Sequence, residues 1–225
     1  MPKPKIAVML DENTSHGGTH YETHKDYFSA IDQAGGVPYG IPYLANMVGQ
    51  VLSEFDGFFS VGGEVCFPAQ WYQAGQTSPF PPSERTAIEI AIMEGFLAAD
   101  KPVLGACNGM QILAALHGCR LRSDLENTVH KRGPHSVTLI EGSRLGQIVG
   151  VKTLAVNSRH REGVAEISDQ VRVSAVAPDG VIEAIEVPNK RFALGYQWHQ
   201  ENFWREDHAG NLIFAAFVAS AEARR

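Results

Sequence analysis

Gly105-Ala106-Cys107-Asn108-Gly109 places a cysteine between two glycines, each two residues away. An apolar run, residues 103–106, precedes it, and a helical stretch, 110–117, follows. Glycine at both flanks of a nucleophile is the pattern of a nucleophile elbow, here carrying Cys rather than Ser. A sharp strand-to-helix turn holds the reactive residue in a strained backbone conformation, and side chains at either flank would strike the neighbouring elements. A thiol at a helix N-terminus is favoured as thiolate, the form that attacks. A buried, unreactive core cysteine is the plain alternative. Cys66 after a Gly-Gly turn and Cys119 after Gly118 lack an elbow and read as packing residues.

A thiol nucleophile needs a histidine as base and a third group to orient it. Of nine histidines, His199 ends the strand-like run 192–197 and is followed by Gln200-Glu201. Residues two apart in extended chain share a side, so Glu201 can hold the His199 ring and stabilise its imidazolium. An incidental histidine beside a surface glutamate is the alternative. Acyl transfer also needs donors for the oxyanion. The N–H after an elbow nucleophile is one, here Asn108. Val61-Gly62-Gly63, a glycine pair closing a strand, offers a second close backbone approach, or is a plain tight turn.

The elements that must position these residues alternate. Strands are predicted at 6–10, 37–41, 55–61 and 103–106, with helices at 21–34 and from an N-cap at Ser83 to about 100. In the latter, Ile88, Ile92 and Phe96 form an apolar stripe. This order, with strands apolar on both faces, predicts a parallel sheet covered on both sides by helices. Strands at 136–140, 153–156, 171–177, 181–187 and 192–197 follow with little helix between them, which predicts antiparallel additions. A helix at 211–223 closes a single domain spanning 1–225.

Leu104-Gly105-Ala106-Cys107-Asn108-Gly109-Met110-Gln111 together with Tyr196-Gln197-Trp198-His199-Gln200-Glu201 resembles the class I glutamine amidotransferase-like hydrolases. Within them the chain is most similar to the γ-glutamyl-γ-aminobutyrate hydrolase branch, peptidase family C26. Ala34-Gly35-Gly36-Val37-Pro38, Gly142-Ser143-Arg144-Leu145, Val156-Asn157-Ser158-Arg159-His160 and Gly180–Glu183 follow the family's order. The resemblance implies a flavodoxin-like α/β class I glutamine amidotransferase fold and a Cys107, His199 and Glu201 triad. It further implies an oxyanion hole at Gly63 and Asn108, and substrate contacts from Gly62, Gln111, Asn157, Ser158 and His160. For the last four, polar surface residues are the alternative. Two departures concern the leaving-group side. Asn108 stands where the family has Arg, removing a guanidinium, and Gly62-Gly63-Glu64-Val65-Cys66 lacks the family's Asp.

The implied activity is hydrolysis of the γ-glutamyl amide of a small γ-glutamyl amine or peptide through a γ-glutamyl thioester, releasing glutamate. That makes the chain a C–N hydrolase of linear amides, or omega peptidase. A glutaminase subunit feeding ammonia to a separate synthetase and a non-catalytic binding homologue are the alternatives. Neither metal nor organic cofactor is expected. His16, His20 and His24 recur every fourth residue, the latter two sharing a face of the predicted helix, but without a carboxylate set they read as a helix start or substrate rim. The polar loop 12–18 matches no phosphate-binding pattern.

Composition agrees. The 225 residues are 44% hydrophobic and 20% charged, with net charge −6, which argues against a nucleic-acid footprint. Three cysteines without framework spacing predict a reducing compartment, and no stretch approaches the ~18 apolar residues of a membrane span. A cytoplasmic protein with a small-molecule γ-glutamyl substrate, no nucleic acid and no membrane partner is expected; a homodimer is left open.

Overall fold

The computed structural model describes residues 2–12, 18–126 and 128–222. In chain order the elements are β1 (Lys5–Met9), β2 (Asp11–Glu12), β3 (Tyr21–Glu22), α1 (Lys25–Gln33), β4 (Val37–Ile41), α2 (Val48–Glu54), β5 (Gly57–Ser60) and α3 (Glu84–Ala98). Next come β6 (Val103–Ala106), α4 (Asn108–Leu116), β7 (Arg120–Arg122), α5 (Thr128–Lys131), β8 (His135–Leu139), α6 (Arg144–Val149) and β9 (Thr153–Val156). The chain ends with β10 (Gly163–Glu166), β11 (Arg172–Val176), β12 (Ile182–Glu186), β13 (Ala193–Tyr196) and α7 (Leu212–Glu222).

Nine strands form one sheet in the order β4-β1-β5-β6-β13-β12-β11-β8-β9. The first five are parallel. The remaining four join antiparallel, as the run of short strands without helices predicts. Burial on both faces follows from the alternation along β5. Phe58 packs on Phe96 of α3, whereas Phe59 packs on Tyr27 of α1 and on Phe214 and Phe217 of α7. All four strand residues of β5 and of β6 are buried, so neither strand shows the alternating polarity of a half-exposed sheet.

Three differences from the sequence reading bear on the site. The predicted helix at 21–34 begins only at Lys25, because 21–22 pairs with Asp11–Glu12 as a small ribbon. His24 becomes the N-cap of α1, accepting from the Asp26 N–H, and His20 lies ahead of the helix, so the two share no helical face. His16 and much of the 12–18 loop lie outside the described residues. Short helices at Val48–Glu54 and Arg144–Val149 and the strand Gly163–Glu166 were not expected; each is too short for a periodic signal. Among the described residues no helix is long and apolar enough to cross a membrane.

Candidate active site

Ligand crevices in open α/β sheets lie beyond the carboxyl ends of the parallel strands. β5, β6 and β13 are neighbours, and their carboxyl ends run directly into Val61-Gly62-Gly63, Cys107 and Gln197-Trp198-His199. Sheet order, more than sequence proximity, brings these segments to one place.

Cys107 sits at the elbow with φ 51° and ψ −105°, ahead of the first residue of α4. Left-handed φ strains any residue with a Cβ, so packing must hold it. The flanking glycines show how. A Cβ on Gly105 would lie 2.5 Å from the Gly109 carbonyl carbon, and a Cβ on Gly109 would collide with the Ser60 carbonyl oxygen. The α4 N-terminus therefore lies directly on β5 and β6. The Cys107 N–H donates to the Tyr196 carbonyl at 2.8 Å, tying the elbow to β13. Gln197 Nε2 reaches the Cys107 sulfur at 3.6 Å.

His199 Nδ1 lies 2.7 Å from Glu201 Oε1, and the Cys107 thiol is close enough to the same ring to favour its imidazolium. Tyr27 Oη also stands 3.3 Å from Nδ1 and accepts from the Gly62 N–H at 3.1 Å. Glu201 is 1% exposed, which makes its charge effective. Burial alone pulls the His199 imidazolium down, but Glu201 and Cys107 overcome it and push the ring up to about 10. The folded value lies above the unfolded one, so the native state holds the extra proton across that interval. This stabilisation is complete below pH 6.5 and is lost as pH rises toward about 10. Glu201→Gln removes the larger influence opposing burial and leaves only Cys107 against it, and the His199 titration followed by NMR is expected to fall well below about 10. A variant still titrating near 10 would contradict the pairing.

Under the Gly62-Gly63 loop lies a buried ion pair that sequence reasoning missed. Arg85, 0% exposed, donates through Nη1 to the Gly62 carbonyl (3.0 Å) and through Nη2 to that of Val61 (2.7 Å). Its Nε and Nη2 grip Glu89 at 2.7 and 2.9 Å, Ser60 Oγ donates to Glu89 at 2.7 Å, and Asp11 pairs with Nη1 at 2.8 Å. With both loop carbonyls held down by the guanidinium, the peptide planes are fixed. The Gly63 N–H has no acceptor among the described residues. The Asn108 N–H belongs to the first turn of α4, where no intrahelical acceptor exists. A Cβ on Gly62 would meet His199 Cε1 at 2.8 Å. In sequence, Arg85 and Glu89 are an i,i+4 pair like any solvated helix face, so no signal marked them.

Cys107 borders a cavity of about 320 Å³ that also touches Asn108, Gln111, His160 and Glu162. A second, of about 390 Å³, is lined by Gly62, Gly63, Tyr27, His24 and His199. Arg159 borders both, so a guanidinium stands at the site although Asn108 replaces the family Arg. Gln111 is 1% exposed and donates to Gln197 and to the Glu162 carbonyl. Burial pushes the Glu162 carboxyl up to about 7 against the hydrogen bond from Tyr72. Asn157 and Ser158, expected at the pocket wall, are occupied behind it. Asn157 accepts from the His199 N–H (2.8 Å) and donates to its carbonyl (3.1 Å), and Ser158 donates to the His130 carbonyl. The 153–156 strand delivers both to backbone, which the motif alone does not reveal. Cys66 and Cys119 are free thiols away from the elbow.

The Peptidase C26 family model matches residues 5–201. Gamma-glutamyl-gamma-aminobutyrate hydrolase PuuD of Escherichia coli K12 is 28% identical over 241 residues, covering 99% of this chain and 95% of that protein. A putative glutamine amidotransferase of Mycobacterium tuberculosis is 33% identical over 189 residues, covering 78% of this chain and 61% of the relative. Among solved structures, a putative GMP synthase subunit from Thermoplasma acidophilum superposes with a TM-score of 0.71 at 15% identity, covering 99% and 96% of the two chains. The glutaminase domain of Trypanosoma brucei CTPS, solved with acivicin, gives 0.68 at 16% identity, covering 99% and 95%. The fold is that of class I glutamine amidotransferase domains.

Proposed function

The chain belongs to the peptidase C26 family and is a glutamine amidotransferase-like hydrolase; from that premise we propose that it cleaves the γ-glutamyl amide of a small γ-glutamyl amine or peptide through a thioester on Cys107. The observation that carries this reading is the strained elbow cysteine sharing a cavity with a histidine that a buried glutamate holds at 2.7 Å.

Cys107 gives its proton to His199, whose Nδ1–H is held by Glu201. The thiolate attacks the γ-carbonyl carbon, and the oxyanion is received by the N–H groups of Asn108 and Gly63. The tetrahedral centre collapses, the C–N bond breaks, and the amine leaves with a proton from the His199 imidazolium. Water then attacks the thioester while His199 takes its proton. The C–S bond breaks, and glutamate leaves from a regenerated Cys107. The glutamyl head group fits the Gln111 and Glu162 cavity, where the Glu162 side chain can meet the α-ammonium and Arg159 a carboxylate. The His24 and Tyr27 cavity on the other side of Gly63 then receives the amine. No metal or organic cofactor takes part in these steps.

A panel of γ-glutamyl amines and γ-glutamyl dipeptides assayed for glutamate release tests the assignment. Release from several members, faster than from glutamine, is the expected result. Activity on glutamine alone, stimulated by a separate synthetase, would instead favour an ammonia-delivering subunit. A Cys107 thiol unreactive toward iodoacetamide and toward a glutamine-analogue electrophile would favour a binding homologue.

A further inference from the structure

His130, His135, His160 and Glu183 meet in a second buried cluster that the thiol chemistry does not use. They come from α5, β8, the segment after β9, and β12, and their side chains are 1%, 7%, 2% and 0% exposed. His130 Nδ1, His135 Nε2 and His160 Nε2 lie 3.1, 3.3 and 3.5 Å from one atom, Glu183 Oε1.

These distances suit hydrogen bonds, but the directions do not. None of the three nitrogens and neither Glu183 oxygen makes an aligned hydrogen bond. Two of the rings have their other nitrogen committed outward. His130 Nε2 lies 3.0 Å from Asp179 Oδ2, and His160 Nδ1 lies 2.8 Å from the Glu162 carbonyl. Each outward nitrogen carries the proton its acceptor requires, so the neutral rings aim lone pairs inward at a carboxylate. A buried carboxylate facing lone pairs is costly unless a cation lies between them.

Ligands of a tetrahedral zinc ion at about 2.0–2.1 Å stand roughly 3.3 Å from one another. The ligand atoms of His130, His135 and Glu183 all lie within 4.8 Å of one another. We propose that His130 Nδ1, His135 Nε2 and Glu183 Oε1 ligate a divalent transition-metal ion of the zinc class, beside His160 Nε2 at 3.5 Å from Glu183 Oε1. Nitrogen-rich ligation selects such an ion over magnesium or calcium. Asp179, on His130 Nε2, is the kind of outer partner that fixes a ring tautomer in metal sites. Burial of all three ligand side chains, at 1%, 7% and 0% exposed, makes the ion structural rather than hydrolytic. Its position joins α5 to the segment that carries Arg159 and His160, whose backbone already binds α5 through the His130 carbonyl. The ion therefore supports the wall of the Cys107 cavity without taking part at the sulfur. The expectation of a metal-free protein arose from weighing only His16, His20 and His24, since no sequence spacing links 130, 135, 160 and 183.

The test is zinc titration of the chelator-stripped full chain against a chromophoric competitor, with cobalt as spectroscopic substitute. One equivalent of zinc is expected, retained in Cys107→Ala because that thiol and His199 could themselves trap zinc. The cobalt spectrum should lack thiolate charge transfer. His135→Gln should weaken binding at least ~100-fold, and the half-exposed outer variant Asp179→Asn about 10–100-fold. Absence of a stoichiometric ion in wild type and Cys107→Ala overturns the proposal. So does loss of binding in Cys107→Ala, or unchanged affinity in Asp179→Asn. The last holds even where His135→Gln fails to fold.

Discussion

Cys107→Ala is expected to lower glutamate release from a γ-glutamyl amide by at least ~10⁴-fold, with the fold intact. Removing the sulfur deletes the atom that forms the acyl intermediate, and oxyanion donors and binding retain only a remnant. Stability should change little in this variant. Alanine inherits the same φ of 51°, so the strain at the elbow is unaltered. Cys107→Gly separates the two quantities. It is equally inactive, but glycine adopts left-handed φ without a Cβ penalty, and the variant is expected to be about 1 kcal/mol more stable than Cys107→Ala by chemical denaturation. More than 1% of wild-type activity in either variant would refute the cysteine mechanism. A glycine variant less stable than the alanine one would show that the elbow is not strained.

Arg85→Met is expected to destabilise the chain by about 3–5 kcal/mol, because Glu89 is left as a buried carboxylate without a counter-charge. Glu89 is 0% exposed and, among the described residues, keeps only Ser60 as a donor. The carbonyls of Val61 and Gly62 lose their guanidinium as well. Arg85→Met with Glu89→Leu removes both charges, and stability should return to within about 2 kcal/mol of wild type. Activity should not return with it. The Gly62-Gly63 peptides are then unheld, so kcat stays low while KM moves less, a split that a purely structural ion pair would not produce. Urea denaturation and steady-state kinetics on the single and double variants read both effects. A single variant costing under 1 kcal/mol would mean that the pair is water-accessible and does not anchor the loop.

What could be read in advance follows a physical division. The elbow was legible because its requirement is local. Only glycine fits at 105 and 109 when α4 lies directly on β5 and β6, so the need is written into the residue types. The β6 strand and the Ser83 cap were legible for similar reasons, a four-residue apolar run and a side chain that accepts from the N–H of Arg85. His199 with Glu201 was legible from their spacing of two, although the turn Gln200–Phe203, not extended chain, aligns them. The start of α1 was misplaced because Tyr21–Glu22 is helical by pattern but is captured by the Asp11–Glu12 ribbon, a pairing ten residues away in sequence. Arg85 and Glu89 carried no signal, since an i,i+4 ion pair reads the same in water or in a core.

The sequence by itself determined the chemistry on offer: one cysteine at a turn that demands glycines, one histidine with its carboxylate, and an alternation of apolar strands and amphipathic helices that compels a layered α/β fold. Only the tertiary structure decided which distant groups share an environment. It set β5, β6 and β13 side by side so that Gly62, Cys107 and His199 converge. It also buried Arg85 against Glu89 and gathered His130, His135 and His160 around Glu183. Local requirements are carried by residue type and spacing along the chain. Burial and convergence arise from strand order, which depends on contacts among residues far apart in sequence.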